Sequence, residues 1–157
     1  MLNKILYFLF CLIIYFLACV KVYSNEEFNF NITEIQISED GNKITGSKGG
    51  NVITDDGIVI SAENFNYDKT KNILKAFGSV KVEDKKENYI IISEDITYIK
   101  NQETILSKGK TTANIYSRYN LESSDLIFSR KFKILESKKK TIVKDEINKI
   151  LYSLEKF

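Results

Sequence analysis

The 157-residue chain has no histidine, no proline and no tryptophan, and only two cysteines. Each absence removes a class of chemistry. Without histidine there is no Ser-His or Cys-His nucleophilic pair and no imidazole metal ligand. Two cysteines are too few for a zinc finger or a multi-bridge disulfide scaffold. A charge surplus is also missing. With 23 basic and 21 acidic residues the net charge is +2, which does not point to nucleic acid. Binding or structure is therefore expected rather than catalysis, with no cofactor and no metal. A charged fraction of 28% and a hydrophobic fraction of 43% are those of a folding chain, and the length suits one domain.

The long apolar run that is present lies at the start. Ile5 to Val20 are 16 consecutive residues without a charge, flanked by Lys4 and Lys21. As a helix they would span roughly 24 Å, short of a hydrocarbon core of about 30 Å. A short basic start, an apolar run and small residues at Val22 and Ser24 predict a Sec-type signal peptide over 1–24, cleaved before Asn25. An uncleaved anchor and lipoprotein processing at Cys19 are the competing readings; Phe16-Leu17-Ala18 is a poor lipobox.

Cleavage there would alter the composition. Cys11 and Cys19 both fall within the signal, so the mature chain 25–157 has no cysteine. Its charge is neutral but polarised. Residues 25–103 carry nine basic and fifteen acidic side chains, and residues 104–157 carry twelve and six. Such a split marks either a solvated basic face or contact with an anionic partner.

From Phe28 onward Ile, Val, Thr, Tyr and Phe alternate with polar residues, broken by Asn, Asp, Gly and Lys clusters. That pattern predicts an all-β, antiparallel fold of nine or ten strands. Asp55-Asp56-Gly57 is a hairpin turn signal, and Asp68–Asn72, Glu83–Asn88, Lys100–Glu103 and Ser137–Lys140 are further turn candidates. Over Lys144–Leu154 a helix and a strand are both compatible with the spacing of Ile147, Ile150, Leu151 and Leu154.

The chain also repeats itself. Ala62-Glu63-Asn64-Phe65-Asn66-Tyr67 aligns with Ser93-Glu94-Asp95-Ile96-Thr97-Tyr98 and with Ser123-Ser124-Asp125-Leu126-Ile127-Phe128. Upstream, Ile35-Gln36-Ile37 precedes Phe65-Asn66-Tyr67 by the same interval. The unit is about 30 residues, strand–turn–strand–turn, and about four of them make the chain. A two-stranded unit cannot bury its apolar face alone, but units stacked side by side can. The predicted body is an elongated, twisted or folded-over open sheet, jellyroll-like, with unpaired edges. Tyr67, Tyr98 and Phe128 should form one inward column. Phe65, Leu74, Ala76, Val80 and Val82 should face inward with it, as should Ile90, Ile92, Ile96 and Tyr98. Gly78 falls inside an apolar strand, where glycine marks a bulge or a close approach. The recurring carboxylates Glu63, Glu94 and Asp125 lie on successive repeats rather than in one cluster, which assigns them a repeat-structural or solvent-facing role over acid–base or metal chemistry.

Ala62-Glu63-Asn64-Phe65-Asn66-Tyr67-Asp68, followed by Leu74-Lys75-Ala76-Phe77-Gly78-Ser79-Val80, resembles the signature of the OstA-like family of lipopolysaccharide-transport proteins. That family comprises LptA, LptC and the periplasmic N-terminal domain of LptD. The resemblance spans Phe28 to Lys144 and is closest in appearance to the LptD N-terminal domain. A truncated or split LptD and a stand-alone LptA-like protein both remain open. The second repeat has Ser93 where the family often has alanine, and the third lacks the glycine. The resemblance implies a β-jellyroll of the periplasm, associated with the outer membrane and its assembly machinery. Its apolar interior would shelter the lipid A acyl chains of lipopolysaccharide, with Phe65, Tyr67, Leu74, Ala76, Val80, Val82, Ile90, Ile92, Ile96 and Tyr98 as the groove candidates. Its edges would join other OstA-like Lpt proteins by β-strand augmentation. A structural or adhesive β-repeat protein of the envelope is the alternative that the residues alone leave open.

Overall fold

The computed structural model describes residues 28–155. The expected signal over 1–24 lies outside the described residues. The fold is all-β and antiparallel. Its strands are β1 (Phe28–Ile37), β2 (Lys43–Thr54), β3 (Val59–Ala62), β4 (Asn64–Asp68), β5 (Ile73–Asp84) and β6 (Tyr89–Ile99), then β7 (Thr104–Ile115), β8 (Tyr119–Ser124), β9 (Leu126–Ser129), β10 (Ile134–Ser137), β11 (Thr141–Asp145) and β12 (Ile150–Leu154). They form one sheet, and its order follows the chain from β1 to β12. The pairs β3–β4, β8–β9 and β10–β11 are each one long strand interrupted midway. Counted so, there are nine long strands among the described residues.

The sheet is folded back on itself. On β2, Thr54 pairs with Phe28, and Ile44, ten residues away, pairs with Tyr67. Ten extended residues span roughly 33 Å. Yet the Phe28 and Tyr67 rings are 4.8 Å apart. Tyr89 and Phe128, paired to opposite ends of β7, are likewise 5.0 Å apart. Every long strand except β12, which pairs only with β11, therefore crosses a crease and contributes to both of two facing half-sheets.

The crease is built from bulges and breaks. The ladder slips by one residue between Ile32 and Glu34, between Phe77 and Val80, and between Ser93 and Asp95. Gly78 and Gly109 sit at two of these slips with φ of 81° and 83°. Side chains rarely adopt that conformation, and glycine does so without penalty. The other long strands are interrupted at Glu63, Asp125 and 138–140. Ser137–Lys140 is thus a crossing point within a strand, not the expected hairpin turn: β10 pairs with β9 and β11 with β8.

Aspartates shape several hairpin turns at the far ends of the strands. Asp84 accepts the backbone N–H groups of Lys86 and Glu87, both at 2.9 Å. Asp145 does the same for Ile147 and Asn148 at 3.0 and 3.1 Å. This last turn explains Lys144–Leu154, which forms the β11–β12 hairpin and no helix. A side chain that takes the amides two and three residues on favours a turn over a helix interior.

Candidate functional site

The space between the half-sheets is the candidate site. Alternation delivers apolar side chains to it from both halves. On β5, Leu74, Ala76, Val80 and Val82 are buried, while Lys75 and Ser79 between them are exposed. Phe65, Tyr67, Ile96 and Tyr98 are buried in the same core. Tyr67, Tyr98 and Phe128 all face inward.

Ile90 and Ile92 are corrections. Tyr89, Ile91 and Ser93 face inward on the first part of β6, and Ile96 and Tyr98 on the second. The slip between Ser93 and Asp95 moves the inward phase from odd to even positions. A shift of one residue sends side chains to the opposite face. Ile91 is consequently 1% exposed and Ile92 49%. Ile90 and Ile92 instead line an outer groove of about 650 Å³ with Ile142 and Leu151.

Inward apolar side chains beyond the groove candidates lie at the two ends of the sheet. Register places Ile35 and Ile37 of β1 on the inner face, beside Gly46 and Ile44. It places Ile150, Tyr152 and Leu154 of β12 on the inner face, beside Asp145, Val143 and Thr141. Ile35, Ile37, Ile150 and Tyr152 are nonetheless exposed, since no described strand of the other half covers them. The interior is therefore filled at the middle of the molecule and continues onto uncovered apolar ledges at both ends. Among the described residues β1 and β12 each pair on one side only, leaving open edges beside those ledges.

Polar groups stand at the crease and at the opposite rim. At the crease, a Cβ added to Gly78 would lie 2.7 Å from Glu63 Oε2, and one added to Gly109 would lie 3.2 Å from Glu94 Oε2. Asp125 accepts the Gly109 N–H at 3.1 Å. Glu63 thus covers the Gly78 bulge, while Glu94 and Asp125 both meet the Gly109 bulge. Buried hydroxyls support the same line. Thr111 donates to Ser107 at 2.8 Å, Ser107 accepts the Leu126 N–H at 2.9 Å, and Ser123 meets Thr141 at 2.7 Å. These hydroxyls serve backbone groups where the ladder slips, as buried polar groups require.

At the rim, Arg130 reaches across the gap between the half-sheets. Its guanidinium donates to Asp56 at 2.7 Å, Asp84 at 3.1 Å and the Tyr98 hydroxyl at 3.2 Å. Lys100 joins the cluster through Asp55 and Asp56. Burial works against the charge on Asp56, but hydrogen bonds from Thr54 and Arg130 and the charges of Arg130 and Lys100 hold its pKa down to about 2. Burial pushes the Tyr98 and Tyr89 hydroxyls up. Among the described residues no group of three or more His, Cys, Asp or Glu is placed to hold a metal ion.

No family model matches the chain, and no curated protein matches its sequence. The fold is similar to the crystal structure of LptH from Pseudomonas aeruginosa, the LptA-homologous periplasmic component of the conserved lipopolysaccharide transport device. The TM-score is 0.61 at 9% identity, over 81% of this chain and 93% of that one. At that identity the likeness is one of fold.

Proposed function

We propose that this chain is a non-enzymatic lipopolysaccharide-transport domain of the periplasm. It shelters lipid A acyl chains between its half-sheets and joins similar domains edge to edge, toward the outer membrane and its assembly machinery. The observation that carries this reading is the run of inward apolar side chains onto uncovered ledges at both open ends, on a fold similar to that of a transport component. Acyl chains gain about 0.8 kcal/mol per CH₂ removed from water. A second domain docked on an open edge would extend both the ladder and the apolar path.

A structural β-repeat protein is the second reading, favoured by the close filling of the interior by Phe65, Val80 and Tyr98. Photocrosslinking separates the two. A photoreactive phenylalanine analogue is placed singly at Ile37, Ile91, Ile92 and Tyr152, and the protein is irradiated with lipopolysaccharide. Adducts are expected from Ile37, Ile91 and Tyr152 and not from the outward Ile92. No adduct from any inward position refutes transport and leaves the structural reading.

A further inference from the structure

We propose that Arg130 and its partners form a clasp that governs how far the half-sheets part, and so how fast an acyl chain reaches the interior. This rests on the reading of the interior as a lipid path. The middle of that interior is filled, so a chain passing through must separate the halves. The crease joins them along one side, and separation is therefore largest at the rim.

Arg130 stands at that rim, in the turn after β9. Its partners Asp56 and Asp84 belong to the facing half, at the β2–β3 turn and the end of β5. Lys100, after β6, crosses the same gap to Asp55 and Asp56. Lys133 adds a more exposed link to Glu87 at 2.8 Å. Other ion pairs, such as Arg118–Asp145 and Lys81–Glu83, lie within one half. Among the described residues, only the rim cluster ties one half to the other by charge.

The cluster is sheltered. The Arg130 side chain is 10% exposed and that of Asp84 2%. Solvent and salt therefore screen the Arg130–Asp84 pair weakly, whereas Asp55 and Asp56 are half-buried. It is also incompletely paired, because Arg130 Nε and the Tyr89 hydroxyl are buried without a protein hydrogen-bond partner. Unmatched donors offset part of what the ion pairs contribute to the closed state. Tyr89 and Phe128, both core residues, line a rim notch with Arg130. Parting the rim here exposes the apolar interior directly.

The test measures rim separation and lipid uptake independently. In the full chain, with Cys11 and Cys19 replaced by serine, cysteines at the exposed turn positions Lys86 and Gln102 carry spin labels. The label-to-label distance is compared between this protein and its Arg130→Gln and Lys100→Gln variants, the second being the milder change. Association with fluorescently labelled lipopolysaccharide is timed for each. Thermal unfolding establishes that each variant is folded. The expected result is a longer, broader distance distribution and an association rate about tenfold higher in Arg130→Gln, as expected for loss of a sheltered ion pair from the closed state. Lys100→Gln should move both in the same direction by less, and it alone decides the matter if Arg130→Gln does not fold. A folded variant with unchanged rim distance, or with a wider rim and unchanged association rate, overturns the clasp while lipid binding still stands. No lipopolysaccharide binding by any of the proteins overturns the transport reading itself.

Discussion

Gly78→Ala probes the packing at the crease. Two costs are expected and they can be separated. The first is conformational. At φ 81° an alanine costs about 1–2 kcal/mol, offset by roughly 0.4–1 kcal/mol from a less flexible unfolded chain. The second is contact. The new Cβ would meet Glu63 Oε2 at 2.7 Å and Glu63 Cβ and Cδ at 2.9 Å, so Glu63 must shift. Overpacking of this kind costs about 1–3 kcal/mol. The net expectation is about 3 kcal/mol. Gly41→Ala isolates the first cost, because Gly41 has φ 68° and nothing within 4 Å of an added Cβ. Glu63→Ala removes the carboxylate but leaves the Cβ contact, so it should relieve only part of the second cost. Urea unfolding monitored by circular dichroism supplies all the free energies, including a coupling of about 1 kcal/mol between Gly78→Ala and Glu63→Ala. If Gly78→Ala costs no more than Gly41→Ala, or if Glu63→Ala leaves its cost unchanged, Glu63 does not cover the bulge as described.

Burial and charge set the other expectations. Ile91→Ala should cost about 2–5 kcal/mol and Ile92→Ala under about 1 kcal/mol, read from the same urea titrations; equal costs would contradict the phase of β6. The Asp56 carboxyl, lowered to about 2 in the folded state, lies below its unfolded value of about 3.9. Its contribution is therefore present above about pH 4 and lost as pH falls toward 2. Near-UV dichroism of the tyrosines should hold between about pH 8 and 5 and decline below about 4; a decline centred near pH 6 would rule out this carboxylate as its cause. Asp145→Asn should loosen the β11–β12 hairpin, since hydrogen bonds from Arg118 and the turn amides hold that carboxyl below its usual range. Faster amide exchange confined to 141–154 is the expected signature, and unchanged exchange there would deny the aspartate that role.

The alternation along β5 and the recurrence of Phe65-Asn66-Tyr67 at Ile96-Thr97-Tyr98 and Leu126-Ile127-Phe128 were enough to establish strands, their inward column and a repeating antiparallel sheet. Both are local properties, since a side chain's face follows from its parity within one strand. Parity fails where a ladder slips. Ile90-Ile91-Ile92 presents apolar side chains in both phases, so composition cannot choose between them. Pairing with Val82 and Ala113 chooses Ile91. The same limit applies to Ile147, Ile150, Leu151 and Leu154, whose spacing suits a helix until Asp145 closes a turn.

Long-range partners were beyond local reading for a related reason. Arg130 lies 74 residues from Asp56 and 46 from Asp84, and charge alone does not select those carboxylates from the others in the chain. Only folding the sheet at its crease brings the two rims together. Ile37 and Tyr152 likewise look like ordinary core residues in an alternating strand. Strand order and the lack of a covering strand among the described residues decide that they stay open to solvent. Pattern within a strand thus settles which side chains can face inward, whereas pairing between strands and the fold of the sheet settle which of them become filled core, exposed ledge or clasp.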